Sequence, residues 1–244
     1  MRSLVSTFQY LTGGLLVALT VATLFTLWSN PASLPTGLVE QISYNAAMPT
    51  PTPLGALTPT PRSTPLIGIV AGHSGNDSGA VCPDGLTELS VNEKAAAFVK
   101  QYLVENGLDV EILQEFDPRL SNYQASILLS IHADSCDYIN DQATGFKVSS
   151  ALANPHPERA ARLVGCLKNR YGQTTGLLLH NSITADMTSY HAFAEIHPDT
   201  TAAIIEIGFL NLDRTILTEK SDVVAQGITA GILCYMNNEN ITAP

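Results

Sequence analysis

Four residues carry reactive side chains where a backbone could gather them: His73, Glu88, His132 and Glu206. His73 is the first residue past Leu66-Ile-Gly-Ile-Val70-Ala-Gly72, an apolar run that ends in small residues and reads as a short buried strand. Glu88 adjoins the start of a helical pattern, and His132 closes a second apolar run, Ile127 to Ile131. Two imidazoles and a carboxylate form the His2Glu set that holds a catalytic zinc and leaves one position open for water. Zinc brings the pKa of that water to ~7. A further carboxylate can take the water proton and pass it to a leaving amine. Glu206 suits that role, since an ionised Glu inside Ala202-Ala-Ile-Ile-Glu206-Ile-Gly-Phe-Leu210 is costly without a partner. Taken singly, each residue has a plainer reading. A His at a strand end is usually a loop residue, and a Glu before a helix is usually an N-terminal charge. Taken together, at successive strand ends and a helix start, they read as a metal centre.

Two neighbours are candidate substrate contacts. Asp134 lies two residues past His132, and His191 precedes the Glu206 strand closely enough to reach the same cleft. His156 and His197 sit beside prolines and read as surface loop residues. Gly72-His73-Ser74-Gly75 resembles part of a nucleophile elbow, but Asn76 stands where G-x-S-x-G requires Gly. No phosphate-binding glycine motif is present.

The elements that must position these residues alternate. Strands are expected at Leu66–Val70, Leu108–Leu113, Ile127–Ile131 and Ala202–Ile207, with an edge strand at Gly145–Ser149 and another strand at Tyr190–Phe193. Phe116 to Gln124 reads as loop or a short turn. Helices are expected after Glu88, where Val91, Ala95, Phe98, Val99, Tyr102 and Leu103 recur at three- and four-residue steps, and at Pro157–Tyr171 and Val223–Met236. The fold class is therefore α/β, a central mostly parallel or mixed sheet with helices on both faces, of zinc-hydrolase type. Ligands of such sheets bind at the carboxyl ends of the strands.

From residue 66 onward the chain has ten Lys/Arg against twenty-one Asp/Glu. That balance excludes a basic nucleic-acid surface. Residues 3 to 39 carry no charge, and Tyr10 to Trp28 is apolar for nineteen residues, nearly enough to span a ~30 Å hydrocarbon core. The expectation is a transmembrane signal-anchor at 10–28 with the rest of the chain outside the cytoplasm, a cleaved signal peptide being the competing reading. Residues 29–65 hold eight of the fourteen prolines and read as a Pro/Thr-rich linker. Three segments follow: 1–28, 29–65 and a domain at 66–244. In an exported domain Cys82 and Cys136, in loops after the two His-bearing strands, can pair, whereas Cys166 and Cys234 fall on helices and read as buried thiols.

Four ordered motifs carry a family resemblance. They are Gly72-His73-Ser74-Gly75-Asn76-Asp77-Ser78-Gly79-Ala80, Glu88-Leu-Ser-Val-Asn92, Ser130-Ile131-His132-Ala133-Asp134 and Ile205-Glu206-Ile207-Gly208-Phe209-Leu210. From Ile67 to Met236 the chain resembles the zinc-dependent N-acetylmuramoyl-L-alanine amidases of the Amidase_3 type. The resemblance implies zinc on His73, Glu88 and His132, Glu206 as catalytic base, and peptidoglycan as substrate. The bond cut would be the amide between the lactyl group of N-acetylmuramic acid and L-alanine. Departures border the cleft: Asp134 replaces the family's Asn, and its Thr-Arg-x-x-Asp segment is pared to Gln114-Glu-Phe-Asp117-Pro-Arg119. Another zinc peptidase or carboxypeptidase, or a non-catalytic wall-binding protein, is the competing class. Oligomeric state is not readable from the sequence.

Overall fold

The computed structural model describes residues 64–241. In it a five-stranded sheet runs in the order β2-β1-β3-β5-β4. Its strands are β1 (Leu66–Ala71), β2 (Asp109–Leu113), β3 (Ile127–Asp134), β4 (Lys147–Ser149) and β5 (Thr201–Phe209). The first three and β5 are parallel, and the short edge strand β4 is antiparallel to β5. The sheet is thus mixed.

Side-chain alternation divides each strand between two cores. Ile67 and Ile69 of β1, Ile127, Leu129 and Ile131 of β3, and Ala203, Ile205 and Ile207 of β5 point to one face. Three long helices cover that face: α1 (Glu88–Glu105), α2 (Pro157–Thr175) and α6 (Ser221–Met236). Thr87 caps α1 by accepting from the Ser90 amide at 3.2 Å. Gly176, in the left-handed conformation, ends α2. Leu66 and Val70, Leu128, and Ala202 and Ile204 point to the other face. A 3-10 turn at Pro118–Leu120 and two single-turn helices, α3 (Ala185–Thr188) and α4 (Ala192–Glu195), supply its cover, which includes Leu120, Met187 and Tyr190. A further short helix, α5 (Arg214–Glu219), links β5 to α6.

The strand expected at Tyr190–Phe193 is instead the entry to α4. Tyr190 is buried beneath the sheet, its ring edge-on to Phe193 at 5.5 Å, so a layer of packing replaces a further sheet neighbour. Cys82 and Cys136 form a disulfide that ties the loop after β1 to the loop after β3. Cys166 and Cys234 form a second one between α2 and α6. This corrects the reading of Cys166 and Cys234 as free thiols: the two helices pack so closely that the Cα atoms lie 5.7 Å apart.

Among the described residues no helix is long and apolar enough to cross a membrane. The helices of sufficient length are amphipathic; α2 carries Glu158, Arg159, Arg162, Lys168 and Arg170. The spanning helix expected at 10–28 lies outside the described residues. The expectation of a transmembrane, single-pass protein is corrected accordingly. The fold is an α/β sheet without a spanning helix among its described elements. Neither the membrane as a partner nor a membrane location is carried forward.

Candidate metal centre

The alternation that builds the second core also places the reactive groups. Ser130 and His132 continue the Leu128 face of β3, and Glu206 continues the Ile204 face of β5; His132 and Glu206 are partners in register. Both therefore emerge side by side at the carboxyl edge of the sheet. His73 follows the adjoining strand β1 in a tight turn, at a positive φ of 68°. Glu88 opens α1 beneath that turn, its Oε2 accepting the Ala80 amide at 3.2 Å.

One carboxylate oxygen is the focus. Glu88 Oε1 lies 3.0 Å from His73 Nε2 and 3.1 Å from His132 Nδ1, and it accepts the Ala133 amide at 3.2 Å. One ligating atom from each of His73, Glu88 and His132 lies within 4.8 Å of the others. The donor set, two imidazole nitrogens and one carboxylate oxygen converging from three elements, fits a metal ion of the zinc type. The outward nitrogen of His73, Nδ1, is held by Asp77 Oδ1 at 2.6 Å, which leaves Nε2 as the inward donor.

Charge around the triad is dense. Burial alone raises the Glu88 carboxyl, but its bonds to His132 and His73 outweigh this and hold it well below the usual carboxylate range. Burial lowers His132, yet Glu115 and Glu88 together lift it to about 10. The Glu88 bond likewise raises His73. Glu206 behaves in the opposite way. Burial, reinforced by the charges of Glu88 and Asp134 and opposed by His132 and Lys147, lifts it to about 7. It is the one half-buried residue of β5, all the others being buried, and its Oε2 is buried and unpartnered.

A cleft of about 420 Å³ brings together all six residues singled out in the sequence: His73, Glu88, His132, Asp134, His191 and Glu206. Asp134 pairs with the ammonium of Lys147, a buried residue of β4 in register with Glu206. His191 stands in the wall, stacked on Phe116 at 4.3 Å. His156 and His197 lie away from it. Sequence reasoning passed over Glu115 and Lys147. Glu115 follows β2 just as His73 follows β1, so its place past the edge of a parallel strand was the available signal. Lys147, on a three-residue edge strand, offered none.

A model of the N-acetylmuramoyl-L-alanine amidase family, Amidase_3, matches residues 67–234. The chain belongs to that family. Its reaction is cleavage of the bond between N-acetylmuramic acid and L-alanine in peptidoglycan, and the residues of the triad are present for it. Solved amidases share the fold at low identity. The Ami1 amidase of Mycobacterium smegmatis superposes with a TM-score of 0.58 at 15% identity, over 72% of this chain and 98% of its own. The amidase of Clostridium difficile 630 gives 0.56 at 21%, over 72% and 99%. The catalytic domain of CwlV from Bacillus (Paenibacillus) polymyxa var. colistinus gives 0.54 at 23%, over 71% and 99%. Among curated proteins none matches the sequence.

Proposed function

We propose that this amidase works with zinc held by His73, Glu88 and His132, and that Glu206 is its general base. The observation that carries the reading is the convergence of His73 Nε2 and His132 Nδ1 on Glu88 Oε1, with Glu206 in register beside His132. Zinc, when bound, supplies a Lewis acid that brings the ionisation of water to near neutral pH.

The chain's own groups do the rest. Asp77 fixes the His73 ring, and the Ala80 and Ala133 amides fix the Glu88 carboxylate. Glu206 takes a proton from water as the water oxygen bonds to the lactyl carbonyl carbon. It then gives that proton to the alanine nitrogen as the C–N bond breaks, leaving a free amine and a lactyl carboxylic acid, whose remaining proton passes to solvent or to the amine. In the metal-free chain burial lifts this carboxyl to about 7, toward the range in which a group both takes and gives a proton. Asp134, held by Lys147, and His191, held against Phe116, are assigned to substrate contact along the cleft wall.

The test uses the full chain. One zinc per chain is expected by elemental analysis, together with release of alanine amino termini from isolated cell walls. A His73→Ala, His132→Ala double variant should lose metal and hydrolysis together. Undiminished zinc in that variant would remove the assignment.

A further inference from the structure

Each histidine of the triad has a carboxylate behind it, hydrogen-bonded at 2.6 Å for His73 and standing at the longer distance of 3.5 Å for His132. Behind His73 stands Asp77, four residues on in the same turn. Behind His132 stands Glu115, which reaches in from the loop after β2. Its carboxylate Oε2 lies 3.5 Å from His132 Nε2 and accepts the His73 backbone amide at 2.9 Å. Oε1 faces His191 Nε2 at 3.2 Å. Glu115 is itself buried, and its own amide donates to the Ser74 carbonyl at 2.9 Å, which fixes the loop against the His73 turn.

We propose that Glu115 is the positioning residue of the metal centre. It keeps the proton of His132 on Nε2, leaves Nδ1 for the ion, and ties His191 to the same ring. The inference rests on the zinc-amidase reading. His132 is buried, and Nε2 makes no close hydrogen bond among the described groups. A buried N–H needs an acceptor, and the Glu115 carboxylate is the one it faces. Nδ1 meanwhile points at Glu88 Oε1, the oxygen shared with His73. A carboxylate behind a ligating imidazole fixes its tautomer and raises its basicity, and such partners are typically worth about 10–100-fold in metal affinity. Glu115 accordingly lies outside the ligand set while governing one of its members. The His191 contact makes this carboxylate the link between the metal centre and the wall of the cleft.

The experiment measures zinc affinity of the full chain by competition with a chromophoric chelator, for wild type, Glu115→Gln, Glu115→Ala and His73→Ala. The visible spectrum of the cobalt-substituted forms is recorded alongside. Glu115→Ala should bind zinc about 10–100-fold more weakly, and Glu115→Gln, whose amide oxygen can still accept, about tenfold more weakly. Both should keep the wild-type cobalt band shape, since the ligands are unchanged. Melting of the metal-free forms follows folding separately, and the nearly isosteric Gln variant decides the matter if the Ala variant does not fold. Affinity within twofold of wild type in Glu115→Gln overturns the proposal. So does a loss as complete as that of His73→Ala with an altered cobalt spectrum, which would make Glu115 a ligand. A wild-type chain that takes up no metal overturns the zinc reading as well, and so separates the two failures.

Discussion

Replacing Glu206 by Gln separates what this carboxylate does for the reaction from what it costs the fold. The burial that suits it as a base also makes its charge expensive. Its pKa stands at about 7 against an ordinary 4.5. Below pH ~4.5 the carboxyl is protonated in both the folded and the unfolded chain, and the burial costs nothing. As pH rises from there the unfolded chain ionises first, and the folded state pays progressively until pH ~7, above which the penalty is complete. At ~1.4 kcal/mol for each step of one in pKa, the full penalty is at most about 3.5 kcal/mol. Solvent in the cleft reduces it, and about 1–3 kcal/mol is expected. In the metal-free protein Glu206→Gln should therefore match wild type near pH 4.5 and exceed it by that amount at pH 8. Denaturant unfolding of chelator-treated protein at the two pH values measures the difference. With zinc restored, the same variant should keep its metal and lose about 10²–10⁴-fold in cell-wall hydrolysis. Near-normal hydrolysis with zinc bound would refute the base assignment. A stability difference that ignores pH, or a variant weaker than wild type at pH 8, would refute the account of the buried charge.

Two further outcomes follow from packing. A Cβ on Gly72 would meet the His132 ring at 2.5 Å, so Gly72→Ala should push this proposed ligand out of place. Overpacking of this kind costs about 1–3 kcal/mol, and the melting temperature should fall together with zinc affinity; unchanged affinity would show that the ring can yield freely. Opening the Cys166–Cys234 bridge by Cys166→Ala, Cys234→Ala releases a loop closed over 68 residues, worth about 4 kcal/mol on the chain-entropy estimate. Denaturant unfolding checks it, and a loss below about 1 kcal/mol would deny the bridge its role in holding α2 to α6.

The three central strands β1, β3 and β5 were legible because each is an apolar run that ends at, or is interrupted by, polar chemistry. Ile127 to Ile131 ends in His132, and Ala202 to Ile205 is interrupted by Glu206. An apolar strand has no use for an ionised side chain except at a site. The same interruptions fixed which face the chemistry is on, since Leu128, Ser130 and His132 share one side of the pleat as Ala202, Ile204 and Glu206 do. Partners set by tertiary packing were not legible in this way. Gln114-Glu-Phe-Asp-Pro-Arg119 reads only as a shortened segment bordering the cleft, yet Glu115 is buried and meets His191, 76 residues on. Tyr190–Phe193 has strand-like composition, and its rings cover a sheet face instead of extending the sheet. The Cys166–Cys234 pair required knowing which sides of two helices meet. The difference is physical. A ligand at a strand end is announced by the strand, because backbone pairing places the end wherever the register puts it. The groups that hold a ligand's other nitrogen arrive from separate loops, and only the closed fold brings them into range. In this amidase that division runs through one residue: His132 was foreseeable from the strand that carries it, and the carboxylate behind its Nε2 was not.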